Sequence, residues 1–169
     1  MNQVQQLIAR FKTRARCSAV SKLDALTDLE RLSDPQIVPF LLQIVADRDE
    51  LPEVRSHVIK RLRNRALAPG DRAPVANTMS QILTETVDPD PRLQSVVALG
   101  EFTDVVGVLT KLEAIALDAA EPLDLRYSAF TSLERAGPTA ESTEILRRLA
   151  LDETLGGSAR RLLSIWRVQ

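Results

Sequence analysis

One helical pattern recurs along the chain at nearly even intervals, and it restricts the fold more than any other feature of the sequence. Each copy has an arginine, then a small or β-branched residue three positions later, and apolar residues four and seven positions later. The arginines are Arg16, Arg55, Arg92, Arg126 and Arg161, separated by 39, 37, 34 and 35 positions. The stripe residues that follow them are Ala19, Val20, Leu23; Val58, Ile59, Leu62; Ser95, Val96, Leu99; Ala129, Phe130, Leu133; and Ser164, Ile165, Val168. Because these offsets lie on one face of an α-helix, the pattern predicts five helices that each bury one stripe.

A second apolar segment precedes each copy, which predicts five helix pairs. These first helices are expected at about residues 4–11, 35–47, 73–85, 105–118 and 140–152, with acidic turns at 47–53, 87–91, 118–124 and 152–157. In the second pair, Asp34 is predicted to cap the first helix, Pro35 to occupy its first position and Pro39 to kink it. A helix pair with an apolar stripe on each helix cannot bury itself alone and must stack on its neighbours.

The sequence therefore predicts an all-α fold, a right-handed α-α superhelix (α-solenoid) of about five two-helix units. The whole chain, 1–169, forms one such domain. The units are expected at about 1–33, 34–70, 71–103, 104–137 and 138–169.

The second unit carries a recognisable motif. Residues 34–47, followed by Val54-Arg55 and the stripe, resemble a HEAT repeat of the PBS-lyase-like and armadillo-type superfamily, with a proline in the first helix, an aspartate that closes it and a Val-Arg pair that opens the second. Leu125-Arg126 with Asp118 matches nearly as well, and Asp152 with Arg161 more loosely. The third unit departs from the motif at Glu85 and Pro91, and the first lacks an acidic turn and has Lys12, Arg14 and Arg16 instead.

The resemblance implies that aspartates and arginines of successive units form a ladder that clamps the helix pairs. Within a unit, the acid and the arginine are seven to nine positions apart, and each such pair is predicted to bridge the turn between its two helices. An arginine can also reach turn carbonyl groups. The predicted pairs are Asp47–Arg55, Glu85–Arg92, Asp118–Arg126 and Asp152–Arg161.

Charge is balanced overall but unevenly placed. With 22 basic and 23 acidic side chains the net charge is −1, which gives no general attraction to nucleic acid or to an anionic membrane. Each of the four later turns carries two or three net negative charges, and all four should lie on one edge. These acids either cap helices or attract a basic partner. The candidate binding residues of this edge are Asp88, Asp90, Glu121 and Asp124.

The second helices should line a concave face that is the other candidate surface. The positions one, two, five and six after each arginine are expected to point outwards, among them Lys22, Ser56, Ala98 and Ser132. Tyrosine and tryptophan are common interface anchors, and polar side chains add specificity. Trp166 alternatively covers the open end of the stack. The candidate binding residues of this face are His57, Lys60, Arg61, Gln94, Tyr127 and Trp166.

Catalytic and metal-binding residue types are scarce. The single cysteine, Cys17, excludes an internal disulfide and a thiolate zinc site, and the single histidine, His57, excludes a multi-histidine metal site. These two residues fall on adjacent second helices, but no orienting third residue follows at Leu93 or Gln94, so they are not predicted to form a catalytic pair. No glycine-rich phosphate loop or serine elbow occurs. We therefore expect no enzyme activity, cofactor or metal.

The leading hypothesis is a non-catalytic HEAT-type scaffold or adaptor that binds a protein or peptide, possibly a basic one, through its concave face or its acidic edge. Alternatives are a structural subunit of a larger assembly, a DNA-binding protein similar to alkylation-repair HEAT-like enzymes, and a protein similar to bilin lyases. The sequence has no secretory signal or membrane span, so a cytoplasmic location is expected. Arginine outnumbers lysine 18 to 4, which is typical of GC-rich bacterial genomes.

Overall fold

The structure is a computed structural model that describes residues 2–13, 18–85 and 87–166. All regular secondary structure in these residues is α-helical, which confirms the all-α class. The helices are α1 (Gln3–Thr13), α2 (Ala19–Glu30), α3 (Ile37–Ala46), α4 (Pro52–Asn64), α5 (Pro69–Glu85), α6 (Pro89–Leu99), α7 (Val108–Leu117), α8 (Leu123–Glu134), α9 (Ala140–Leu149) and α10 (Gly156–Ile165). No helix among the described residues is both long and apolar enough to cross a membrane.

The helices pack in consecutive pairs, from α1 with α2 to α9 with α10. The second helices α2, α4, α6 and α8 contact one another in this order, so that α6 lies between α4 and α8. The first helices α3, α5, α7 and α9 contact one another in the same order. Each pair thereby covers apolar side chains that its neighbour would otherwise expose to water.

The apolar stripe is buried in the three central second helices. In α4, for example, Val58, Ile59 and Leu62 are completely buried. The prediction is wrong at the two ends, where Val20 is 67% exposed and Ile165 is 63% exposed. In α2 the buried residues are Lys22, Ala25, Leu26 and Leu29, which have the same spacing as the predicted copy but begin six positions later.

The start of α3 differs from the prediction. Asp34 Oδ1 accepts a hydrogen bond from the Gln36 N–H at 2.8 Å, and this turn delays the helix, which begins at Ile37 with Gln36 as its N-cap. Pro39 therefore lies in the first turn, where a backbone N–H has no acceptor within the helix. Pro39 therefore removes no hydrogen bond from α3 and gives no reason for a kink. Among the described residues, the proline that lies inside a helix is Pro74, in α5.

Candidate interaction surface

A buried arginine joins the last two helix pairs. Arg126 is only 5% exposed, and its Nε donates a hydrogen bond to the Ala116 carbonyl at the end of α7 (2.9 Å). Its Nη2 donates to Asp152 Oδ2, in the turn between α9 and α10 (2.7 Å). One planar guanidinium therefore holds its own helix pair together and also reaches the next pair.

The same arrangement recurs along the structure. In each case a cation on a second helix meets a carboxylate in the turn of the following helix pair. We call the four pairs the ion-pair ladder: Lys22–Glu50 (2.6 Å), Arg55–Asp88 (3.9 Å), Arg92–Glu121 (2.5 Å) and Arg126–Asp152 (2.7 Å). Arg55 and Arg92 also donate to carbonyl groups near the ends of α3 and α5.

The predicted bridges within a turn are wrong, because the acids at those positions bind their own backbone. Asp47 Oδ1 accepts from the Asp49 N–H at 3.0 Å, and Asp118 Oδ1 accepts from the Ala120 N–H at 2.9 Å. These short local bonds stabilise the turns and leave the arginines to pair with the next unit. Glu85 is paired with Arg48 instead of Arg92.

The ladder also corrects the register of the two outer copies. In the first copy the ladder cation is Lys22, whereas the predicted Arg16 lies outside the described residues. In the last copy Arg160, not Arg161, donates to the Ala150 carbonyl (2.5 Å), as Arg126 does to Ala116. Arg160 has no carboxylate partner among the described residues.

The turns that the ladder joins form one edge, and we call residues 47–53, 87–91, 118–124 and 150–155 the turn edge. Two of its predicted binding residues, Asp88 and Glu121, are ladder members. The other two, Asp90 and Asp124, are exposed and have no ion-pair partner in the described part of the chain. The same is true of further edge acids, namely Asp47, Asp49, Glu53, Asp118 and Glu153.

Each turn of this edge also exposes one large apolar side chain, which the sequence reasoning missed. The exposed fractions are 37% for Leu51, 93% for Val87, 54% for Leu123 and 87% for Leu151. We call these four residues the apolar row. An isolated exposed leucine is ordinary, but one per turn on a single edge is a repeated feature. The signal was available in the sequence for the first three turns, which contain Leu51, Val87 and Leu123, but not for the fourth, because Leu151 precedes the predicted turn 152–157 and the leucine inside that turn, Leu155, is buried.

A shallow groove of about 120 Å³ runs between the second and third turns of this edge. Val87, Leu93 and Pro122 give it an apolar lining, and Asp124 lines it with a carboxylate. Tyr127, one of the predicted anchors, is 41% exposed and lies four residues after Leu123, on the same face of α8. The tyrosine therefore extends the apolar row from the turn onto the helix.

The remaining predicted residues of the concave face are largely engaged or separate. Glu30 binds both His57 Nε2 (3.1 Å) and Arg61 Nε (3.0 Å), so those two side chains form one cluster at the α2–α4 contact. Lys60 is exposed and has no ion-pair partner among the described residues. Gln94 is half-buried on α6.

Trp166 is half-buried against the apolar core at the end of α10.

Several positions predicted to point outwards are buried. Ser56, Ala98 and Ser132 lie where α4, α6 and α8 pack together, and Ser132 Oγ donates to the Val96 carbonyl at 3.0 Å. Lys22 is buried by its pairing with Glu50. The second helices therefore bury more of their surface than helices that line an open face would.

No group of three or more metal-ligand side chains occurs in the described part of the chain. Cys17, and with it any contact to His57, lies outside the described residues. A cavity of about 330 Å³ lies beside the Lys22–Glu50 pair and is lined by Phe11 and Phe40, and another of about 430 Å³ lies between α5 and α7 near Lys111.

Comparison with known proteins adds no relative from which a role could be inferred. No protein-family model matches the chain, and neither curated proteins nor solved structures give a significant match.

Proposed function

We propose that the chain is a non-catalytic scaffold of the HEAT-like kind, a right-handed superhelix of about five two-helix units that binds another protein or a peptide. The order of helix contacts supports the architecture, since the first helices α3, α5, α7 and α9 and the second helices α2, α4, α6 and α8 each contact their counterparts in the neighbouring pairs. The ion-pair ladder supports the resemblance to HEAT repeats, because its cations clamp successive helix pairs.

The observation that carries the function is the combination of the apolar row with unpaired carboxylates on the turn edge. Surface patches that bind proteins combine exposed apolar anchors with a polar rim. Here Val87 and Leu123 are the anchors, and Asp90 and Asp124 are rim charges that no cation of the described structure neutralises.

The turn edge is a better candidate than the concave face for a physical reason. His57 and Arg61 are already bound to Glu30, so a partner would have to displace those bonds first. The edge carboxylates outside the ladder, such as Asp90 and Asp124, have no such ion pairs to break, and Tyr127 is contiguous with the edge.

Two variants test this proposal by removing different parts of the same surface. The first is Val87→Ser with Leu123→Ser, which removes the anchors. The second is Asp90→Asn with Asp124→Asn, which removes two charges and keeps the oxygen that accepts the Leu125 N–H. Val106→Ser is the matched control, because Val106 is 97% exposed in the connection between α6 and α7, away from the edge.

The purified proteins are immobilised and incubated with extract of the native organism, and the bound proteins are identified by mass spectrometry. At least one protein should be retained by the wild type and by Val106→Ser and lost from both edge variants. Calorimetry with that purified partner should then give the same order of affinity. If both edge variants retain every partner of the wild type, the turn edge is not the binding surface.

A further inference from the structure

The spacing of the apolar row determines what shape of partner can contact all of it. The ladder makes the four turns consecutive neighbours, and each turn contributes one apolar side chain. Packed helices lie about 8–10 Å apart, so we expect neighbouring turns, and the row members that they carry, to be spaced at about that interval. A partner therefore needs apolar side chains on one face at intervals of about 10 Å.

An α-helix meets this requirement with a seven-residue interval. Seven residues rise about 10.5 Å and complete almost exactly two turns, so residues seven apart lie on the same face. An extended chain does not meet it, because about three residues cover 10 Å and side chains three apart point to opposite faces.

The charge of the edge determines the polar face of such a helix. Each turn holds the C-terminus of one helix and the N-terminus of the next, so the two helix dipoles largely cancel there. The unpaired carboxylates, among them Glu53, Asp90, Asp124 and Glu153, then set a negative potential beside the apolar row. A partner helix with lysine or arginine beside its apolar residues complements both features.

We infer that the turn edge binds a cationic amphipathic helix whose apolar residues recur every seven positions. Four such residues, one for each member of the row, span about 22 positions of the partner. This inference rests on the proposed function, since it specifies the partner of the same edge.

Three synthetic peptides of equal length test the inference. The first has leucines seven positions apart with lysine and arginine at the flanking positions. The second has the same composition, but its leucines are eleven positions apart; eleven residues also return to one helical face, while the rise becomes about 16.5 Å. The third is the seven-residue peptide with glutamate in place of each cation. Affinities are measured by fluorescence anisotropy at about 50 and 150 mM salt, a range over which screening weakens exposed charge pairs.

We expect the seven-residue peptide to bind at least about tenfold more tightly than the eleven-residue peptide, and to gain helical circular dichroism on binding. Val87→Ser with Leu123→Ser should weaken that binding about tenfold, Asp90→Asn with Asp124→Asn should weaken it mainly at low salt, and Val106→Ser should leave it unchanged. The glutamate peptide should not bind.

Each other outcome overturns a defined part. If both cationic peptides bind equally and the edge variants weaken both, the seven-residue interval is wrong while the turn edge remains a binding surface. If binding of the seven-residue peptide is insensitive to both edge variants, or no peptide binds, the inference is wrong, and the co-purification experiment then decides the proposed function independently.

Discussion

Replacing Arg126 with methionine should destabilise the protein strongly, because the methionine keeps most of the side-chain volume but removes every hydrogen-bond donor. The Ala116 carbonyl then loses a bond of 2.9 Å and the Asp152 carboxylate loses one of 2.7 Å. Removing one partner of a buried ion pair costs about 3–5 kcal/mol. Since Asp152 keeps the N–H groups of Thr154 and Leu155, we expect a loss near the lower end, about 3 kcal/mol.

Urea denaturation followed by circular dichroism measures this change in the free energy of unfolding. Arg135→Met is the matched control, because Arg135 lies at the other end of the same helix and pairs at 2.5 Å with Glu101, just after α6, whereas Arg126 pairs with the following helix pair. The side chains of Arg135 and Glu101 are both nearly half exposed, so loss of this ion pair should change the free energy of unfolding by only about 0–1 kcal/mol. If Arg126→Met is no more destabilising than Arg135→Met, the ladder does not hold the helix pairs together.

Three further predictions follow from other positions. Gly107 precedes α7 with a φ of 86°, so Gly107→Ala should lower the free energy of unfolding by about 1–2 kcal/mol. Gly157 lies in α10 with open space around it, so Gly157→Ala should raise the free energy of unfolding by about 0.5–1 kcal/mol. Urea denaturation checks both signs. Lys22→Met should cost about 3–5 kcal/mol because it leaves the Glu50 carboxylate buried and unpaired, and adding Glu50→Gln should restore most of that loss in the same assay. The pKa of Asp152 is lowered, first by the hydrogen bond from the Leu155 N–H, then by that from the Thr154 N–H, and also by the charge of Arg126. Its carboxylate therefore stabilises the fold above about pH 4, and this contribution is lost as the pH falls through the lowered pKa. Asp152→Asn should accordingly lose less stability than the wild type between pH 5 and pH 3.

The helices and their pairing could be predicted because they depend on local spacing. Offsets of three, four and seven residues place Val58, Ile59 and Leu62 on one helical face, and acidic turns mark where one helix ends and the next begins. The turn edge as a source of exposed acids was also predictable, since Asp90 and Asp124 lie in those turns.

The partner of each arginine could not be predicted from spacing. A carboxylate eight residues before Arg126 and one 26 residues after it are equally compatible with the sequence, and the choice depends on the Ala120 N–H binding Asp118 first. The register of the first copy could not be predicted for a related reason. The pattern requires an arginine at the first position, whereas Lys22 performs the ladder role in α2.

The ladder also determines how the chain can be divided into fragments. A cut at residue 137, between α8 and α9, leaves a buried guanidinium without its partner on one fragment and a carboxylate without its partner on the other. A cut between α2 and α3 separates Lys22 from Glu50 in the same way, and the cuts between α4 and α5 and between α6 and α7 separate Arg55 from Asp88 and Arg92 from Glu121. The sequence is modular, but each boundary between its units separates the two members of an ion pair that the intact chain makes.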